Sequence, residues 1–295
     1  MSETIVSHRA SEILVVCKTV FDLNAELRKR KAAGNTIGLI PTMGALHQGH
    51  LSLIEIAKEK SDVTVVSIFV NPTQFGPNED FDSYPRNLEK DVEACIEAGV
   101  DIVFAPDRNE LYNEANYFRI EIDSLNKHMC GGSRPGFFEG VLLIVNKLFN
   151  IIEPDIAVFG QKDIQQVQII KKMVKEFNHG VQIETCPIRR ANDGLALSSR
   201  NTYLNKEQRV IAPGLYRSLQ YIKSQIYSGV HSPNLMIEHQ KSELEAKGFN
   251  IDYLGLYNLE TLEPVSELEK NNTYIIAGAV YLGNTRLIDN ILIKI

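Results

Sequence analysis

No apolar stretch in this chain approaches the roughly 20 residues a helix needs to cross a bilayer, so no membrane partner is expected. The opening segment, MSETIVSHRASEILVVCK, lacks a basic region followed by a clean apolar core, and no secretory signal peptide is expected there. Cysteine is sparse, and Cys17, Cys95, Cys130 and Cys186 stand singly without a C-x-x-C pair. That spacing fits reduced thiols in a cytoplasmic protein better than a disulfide framework or a zinc knuckle. Long basic tracts are also missing. The densest cluster, RKRK at 28–31, reads as a solvated helix face, and with a net charge of −6 no nucleic-acid partner is expected. Neither G-x-x-x-x-G-K-[ST] nor G-x-G-x-x-G occurs, which counts against kinase-like ATPases and dinucleotide oxidoreductases. The glycine-flanked spacing of a serine or cysteine hydrolase is absent too.

What remains is an ordinary globular composition, 44% hydrophobic and 23% charged, over 295 residues, enough for one large domain or two moderate ones. Short β-branched runs alternate with amphipathic segments through the first two-thirds. TIGLIPT, DVTVVSIFVN, DIVFAP, DIAVFG and VQIETCP read as strands, DVTVVSIFVN as one buried on both faces. LSLIEIAKEK, NLEKDVEACIEAGV, GVLLIVNKLFNIIEP and DIQQVQIIKKMVKEFN read as helices, the second ending near Gly99, where glycine suits a left-handed cap. This β-α rhythm implies a Rossmann-like, mostly parallel α/β sheet over residues 1–187. Near Pro187 the character changes. A largely helical stretch over 201–247 precedes strand-like pieces with turn signals, so residues 188–295 are expected to form a smaller α+β domain.

The chemistry-bearing residues cluster after the strands. In LIPTMGALHQGH, an apolar strand delivers a glycine turn and then His47 and His50, three apart and therefore on one face of a helix starting there. A helix start at the carboxyl edge of a parallel sheet suits phosphate, because its N–H groups are unpaired and its dipole end is positive. Two imidazoles can add hydrogen bonds to charge building on a phosphoryl group. Surface or capping histidines are the plain alternative, and a zinc site lacks a third ligand at a helpful spacing.

Asn71 and Gln74, after the next strand, are neutral groups able to hold a polar substrate, although Asn-Pro and Gly-Pro also mark an ordinary loop. Arg134 sits on a glycine-rich loop, GSRPGFFEG, where it can clamp a carboxylate or phosphate or simply face solvent. In GQKDIQQ, Lys162 suits phosphate, Asp163 suits ribose hydroxyls, and Gln166 opens the following helix. LALSSRN brings Ser198, Ser199 and Arg200 after a glycine turn, as a phosphate cradle or as a serine N-cap.

Taken in order, IPTMGALHQGH, FVNPTQF, YPR, SRPGFFEGV, FGQKDIQQ, DGLALSSRN and TRLIDN resemble the pantothenate synthetase (pantoate–β-alanine ligase) family across nearly the whole chain. H-x-G-H alone is weaker, since it recurs across a wider nucleotidyltransferase superfamily. The resemblance implies that pantoate attacks the α-phosphate of Mg-ATP to give pantoyl adenylate, and that β-alanine then displaces AMP to give pantothenate. It implies an ATP site from Met43, Gly44, Ala45, Leu46, His47, Gln48, Gly49 and His50, from Gly160, Gln161, Lys162 and Asp163, and from Leu197, Ser198, Ser199 and Arg200. His50, His47, Lys162 and Arg200 would be catalytic, with His50 the position usually assigned as proton donor. Gln74 and Gln166 would hold pantoate, with Asn71 and Arg134 nearby. Mg²⁺ would arrive with ATP, its protein ligands unknown. A homodimer and a C-terminal lid domain also follow from the resemblance.

The chain departs from the family pattern at Phe137, where histidine is usual, and at Leu143 and Asn146, where small or hydroxyl residues are usual. Several residues precede the first strand beyond what many members carry. A nucleotidyltransferase of the same superfamily, whose product keeps the nucleotide, is the alternative function.

Overall fold

The β-branched runs form the strands of one parallel sheet. The computed structural model describes residues 14–77, 79–112, 118–229 and 233–295, so the N-terminal extension lies, apart from Leu14, outside the described residues. The strands are β1 (Val15–Cys17), β2 (Ile37–Thr42), β3 (Val63–Ile68), β4 (Ile102–Phe104), β5 (Ile156–Gly160) and β6 (Gln182–Cys186). A second sheet follows with β7 (Asn250–Asn258), β8 (Thr273–Leu282) and β9 (Thr285–Lys294). The helices are α1 (Val20–Ala32), α2 (Gln48–Lys60), α3 (Leu88–Ala98), α4 (Arg108–Leu111), α5 (Met129–Ser133), α6 (Phe137–Ile152), α7 (Ile164–Glu176), α8 (Lys206–Ile211), α9 (Gly214–Tyr227) and α10 (Pro233–Glu245).

The chain divides into two compact units. The first runs to Glu121 and adds Gly136–Gly160 and Ile169–Cys186. The second comprises Ile122–Pro135, Gln161–Gln168 and Pro187–Ile295.

In the first unit the strands lie in the order β1-β4-β3-β2-β5-β6, all parallel. The chain builds outward from β2 through β3 and β4 on one side, then returns to place β5 and β6 on the other. Strand order therefore reverses between β2 and β5, which is where an open parallel sheet leaves a crevice at its carboxyl edge. Ile40, Val66, Val103 and Val158 pack one sheet face against Leu53, Ile54 and Ala57 of α2 and Val92 and Cys95 of α3. The helix over 88–98 ends as its sequence implies, with Gly99 at φ 70° taking the left-handed cap.

The second unit is built on a three-stranded antiparallel sheet, β7-β8-β9, whose last two strands are joined by a two-residue turn at Gly283 and Asn284. Leu215, Leu219 and Ile222 of α9 and Ile237 and Leu244 of α10 share a core with Tyr274, Ile276 and Val280 of β8. This is the Rossmann-like parallel sheet with a small α+β companion that the sequence implies.

All four cysteines are buried and free. Burial, with Asp22 and Glu26 adding to it, pushes the Cys17 thiol up to about 11, and burial pushes Cys95 up to about 12, so both stay protonated and behave as core residues. Among the described residues no helix is long and apolar enough to cross a membrane.

Candidate active site

The loop between β2 and α2 leaves the sheet at the order reversal. Thr42 Oγ1 donates to Ser67 O at 2.7 Å and accepts the Gly44 N–H at 3.2 Å, closing the end of the strand. Gly44 and Ala45 then adopt positive φ, 78° and 51°. A side chain at Gly44 would put its Cβ 2.8 Å from Asp91 Oδ2, so the position needs glycine for space as well as for conformation. The reason for the close approach is a clamp. Buried Asp91, on α3, accepts the Ala45 N–H at 3.0 Å on one oxygen and the Leu46 N–H at 2.7 Å on the other.

His47 is the N-cap of α2, and His50 lies in its first turn. Each caps the other's end of the turn: His47 Nδ1 accepts the Gly49 N–H at 3.0 Å, and His50 Nδ1 accepts the His47 N–H at 3.3 Å. The rings lie 4.1 Å apart between centroids. Because both Nδ1 atoms act as acceptors, the neutral rings carry their protons on Nε2. The pair is therefore a matched set of Nε2–H donors at the positive end of a helix.

The sequence implies a helix start with unpaired N–H groups, and those of His47 and Gly49 instead donate to the two Nδ1 atoms, while those of Gly44, Ala45 and Leu46 in the loop before it donate to Thr42 and Asp91. Thr42, Asp91 and the two Nδ1 atoms thus take up five of the N–H groups between Gly44 and Gly49. The two imidazoles are thus part of the cap of this helix start, each through its Nδ1.

After β3, Asn71 caps the short 3-10 turn Pro72–Gln74. Its carboxamide is buried and fully used: Nδ2 donates to Gly140 O at 3.0 Å and Gln74 Oε1 at 2.9 Å, and Oδ1 accepts from Tyr112 Oη at 2.8 Å and Thr73 Oγ1 at 2.9 Å. Gln74 Nε2 in turn donates to Met43 Sδ at 3.0 Å, linking this turn to the β2–α2 loop. Gly140 of α6 permits the turn to sit where it does, since a Cβ there would lie 2.1 Å from Thr73 O. Gly160 ends β5, the strand beside β2.

The remaining candidates belong to the second unit. Gln161, Lys162 and Asp163 form a 3-10 turn, with Lys162 Nζ 3.7 Å from Asp163 Oδ2. Gln166 lies in the first turn of α7. Arg134 is the C-cap of α5, so the glycine-rich stretch is partly helical and not simply a loop. Leu197 follows a bridge between Arg190 and Ala196. Ser198 is the N-cap of the 3-10 turn that includes Ser199 and Arg200, its Oγ accepting the Arg200 N–H at 3.3 Å. The serine-cap alternative is thus realised, while the hydroxyl proton is left to point elsewhere.

Three residues that set these positions were not singled out from the sequence. Asp91 is one. Its signal was an acid sharing the buried face of α3 with Val92 and Cys95, where a solvated residue does not belong. Gln165 is another: Oε1 accepts the Gly131 N–H at 3.4 Å, and Nε2 donates to Leu125 O and His128 O at 2.9 Å each, fixing the segment that carries Arg134. Asn290 of β9 is the third.

The departures have structural accounts in part. Phe137 packs edge-on against Phe138, 4.8 Å between centroids, an aromatic contact in place of a titratable ring. Asn146 Oδ1 lies 2.9 Å from His179 Nε2, which ties α6 to the segment after α7. Leu143 is half-buried on α6, and nothing in the structure explains its choice over a smaller residue.

The geometry can be set beside known proteins. A family model described as pantoate–beta-alanine ligase matches residues 15–292. The pantothenate synthetase of Acetivibrio thermocellus is 48% identical over 281 residues, covering 95% of this chain and 99% of that protein. The crystal structure of pantothenate synthetase from Thermus thermophilus superposes with a TM-score of 0.86 at 40% identity, covering 94% of this chain and 98% of that one. The pantoate–beta-alanine ligase of Francisella tularensis, complexed with beta-gamma ATP and beta-alanine, gives 0.78 at 35% identity, covering 94% and 97%. A parallel sheet with its imidazole pair at the order reversal, and a match to family sequence and structure along almost the full length, lead to one conclusion: the chain belongs to the pantoate–beta-alanine ligase family.

Proposed function

We propose that this chain condenses pantoate with β-alanine at the expense of ATP, forming pantothenate, AMP and pyrophosphate through a pantoyl adenylate. In the first step a pantoate carboxylate oxygen bonds to the α-phosphorus, and the bond from that phosphorus to the bridging oxygen breaks, releasing pyrophosphate. In the second, the β-alanine amine bonds to the acyl carbon, AMP leaves with the carboxylate oxygen, and the amine gives up a proton.

Carboxylate and triphosphate repel each other, so the first step needs donors and cations at the phosphates more than it needs a base. The imidazole pair carries this assignment: two Nε2–H groups at one helix start can follow charge as it moves onto the leaving phosphates. Lys162 and Arg200 are assigned as phosphate cations, Ser198 and Ser199 as hydroxyl donors beside them, and Asp163 as the ribose partner. Met43, Gly44, Ala45, Leu46, Gln48, Gly49, Gly160, Gln161 and Leu197 are assigned as backbone and packing contacts to ATP.

Gln74 and Gln166 are assigned to pantoate, where neutral amides bind a hydroxy acid without stabilising its charge against attack. Asn71 is assigned as the residue that positions Gln74, since its own amide is fully engaged within the protein. Arg134 is assigned to a position near the organic substrates. Mg²⁺ is proposed to enter with ATP, where it would offset charge on the phosphates. Among the described residues no group of three or more His, Cys, Asp or Glu side chains forms a ready cage for it. A cytoplasmic homodimer completes the proposal, and a mass measurement in solution tests the dimer.

Purified protein supplied with Mg²⁺ tests the order of events. Pyrophosphate release is expected with ATP and pantoate alone, in an amount near one per site, and continuous AMP release only when β-alanine is added. A product that keeps its nucleotide would instead assign a nucleotidyltransferase. AMP formation indifferent to either organic substrate would exclude the ligase.

A further inference from the structure

The TRLIDN segment near the C-terminus has no part in the assignments above, and its second half makes an unusual set of contacts. Asn290 is 2% exposed in β9. Its Nδ2 donates to the backbone carbonyls of Gln161 at 2.9 Å and Lys162 at 3.0 Å. Its Oδ1 accepts from Gln161 Nε2 at 3.2 Å. Both amide protons and the carbonyl are thus spent on one three-residue turn. The neighbouring Asp289 accepts the Asn290 N–H at 2.7 Å and forms a two-pronged pair with Arg190, at 2.5 and 2.8 Å. Arg190 stacks over Tyr216 at 3.8 Å from the ring centroid, so the strand that holds Asn290 is itself braced.

We propose that Asn290 is a positioning residue for Lys162: its carboxamide fixes the backbone from which the lysine projects, and so sets where the ammonium meets an ATP phosphate. This rests on the assignment of Lys162 to phosphate. A lysine is a flexible stem with a point charge, so its aim depends on the backbone at its root. A turn of three residues between a strand end and a helix start has few bonds of its own to resist tilting, and an ångström of displacement at a charged contact is costly. The carboxamide grips that turn on the two carbonyls flanking the Lys162 Cα and on the preceding side chain.

The test is a double-mutant cycle read by calorimetric titration of Mg-ATP into the full-length protein, with Asn290→Leu as the near-isosteric variant and Asn290→Ala as the second. Asn290→Leu is expected to weaken ATP about tenfold in the natural background, and less than about twofold in Lys162→Ala. The KM for β-alanine should not move. An equal loss in both backgrounds, or none in either, overturns the proposal. If circular dichroism shows that neither variant folds, Asn290 is a structural residue and the proposal is likewise overturned. An unchanged ATP affinity in Lys162→Ala alone also overturns it, by the separate route of removing Lys162 from the phosphate site.

Discussion

Replacing His50 by glutamine is expected to slow pyrophosphate release on the order of 10²–10³-fold while the melting temperature moves by only a few degrees. Glutamine is chosen because the helix start uses this side chain twice. Its Nδ1 accepts the His47 N–H at 3.3 Å, an acceptor role that glutamine at the third helical position commonly fills. What glutamine does not reproduce is a ring that presents Nε2–H along a fixed axis. Cap and chemistry therefore separate in this one variant, whereas His50→Ala removes both. The readout is a single-turnover measurement of pyrophosphate with ATP and pantoate, alongside a thermal melt. A variant that melts normally and releases pyrophosphate at close to the natural rate would show His50 to be a capping residue only.

Asp91→Asn should give the second large effect, a fall in turnover of about 10²-fold with a small change in unfolding midpoint. The clamp on Ala45 and Leu46 needs an acceptor on both oxygens, and an asparagine offers one acceptor and one donor. One of the two N–H groups then faces an N–H, and the left-handed turn through Gly44 and Ala45 loses its anchor. Stability responds differently. Burial raises the Asp91 carboxyl above its ordinary value, against the two backbone hydrogen bonds that lower it. A folded value above the unfolded one means that stability is full below the ordinary carboxylate value and declines as pH rises through the raised one. At neutral pH the charge thus costs the fold something, and the neutral amide relieves that cost while leaving one donor unpaired, about 1–3 kcal/mol. The opposing effects nearly offset. Urea unfolding across the acid range checks the sign: the variant should lack the part of the decline with rising pH that Asp91 supplies. Turnover and midpoint falling together would mark Asp91 as a fold residue with no special hold on the loop.

These two residues show where the sequence speaks and where it is silent. His47 and His50 stand out because imidazoles three apart at a helix start after a buried strand share a face, and the cap at Gly99 and the strand runs at β2, β3 and β5 are legible for similarly local reasons. Asp91 looks like one more charge on a surface helix, because its partners are backbone N–H groups 45 and 46 residues away that every sequence has. Gln165 and Asn290 are hidden in the same way, each spending an amide on carbonyls that carry no residue signature. The segments Ile122–Pro135 and Gln161–Gln168 group with the C-terminal unit, and no shift in composition marks them. The reverse also holds. The helix start after β2 reads from sequence as a row of free N–H donors, and only the folded turn shows that the two imidazoles already hold those of His47 and Gly49.

Oxygen tracing tests most directly whether the pantoate carboxylate is activated by transfer of AMP. With ¹⁸O in both carboxylate oxygens of pantoate, one turnover to pantothenate should leave one labelled oxygen in AMP and none in pyrophosphate. Unlabelled AMP, or label in inorganic phosphate with ADP as the nucleotide product, would contradict it.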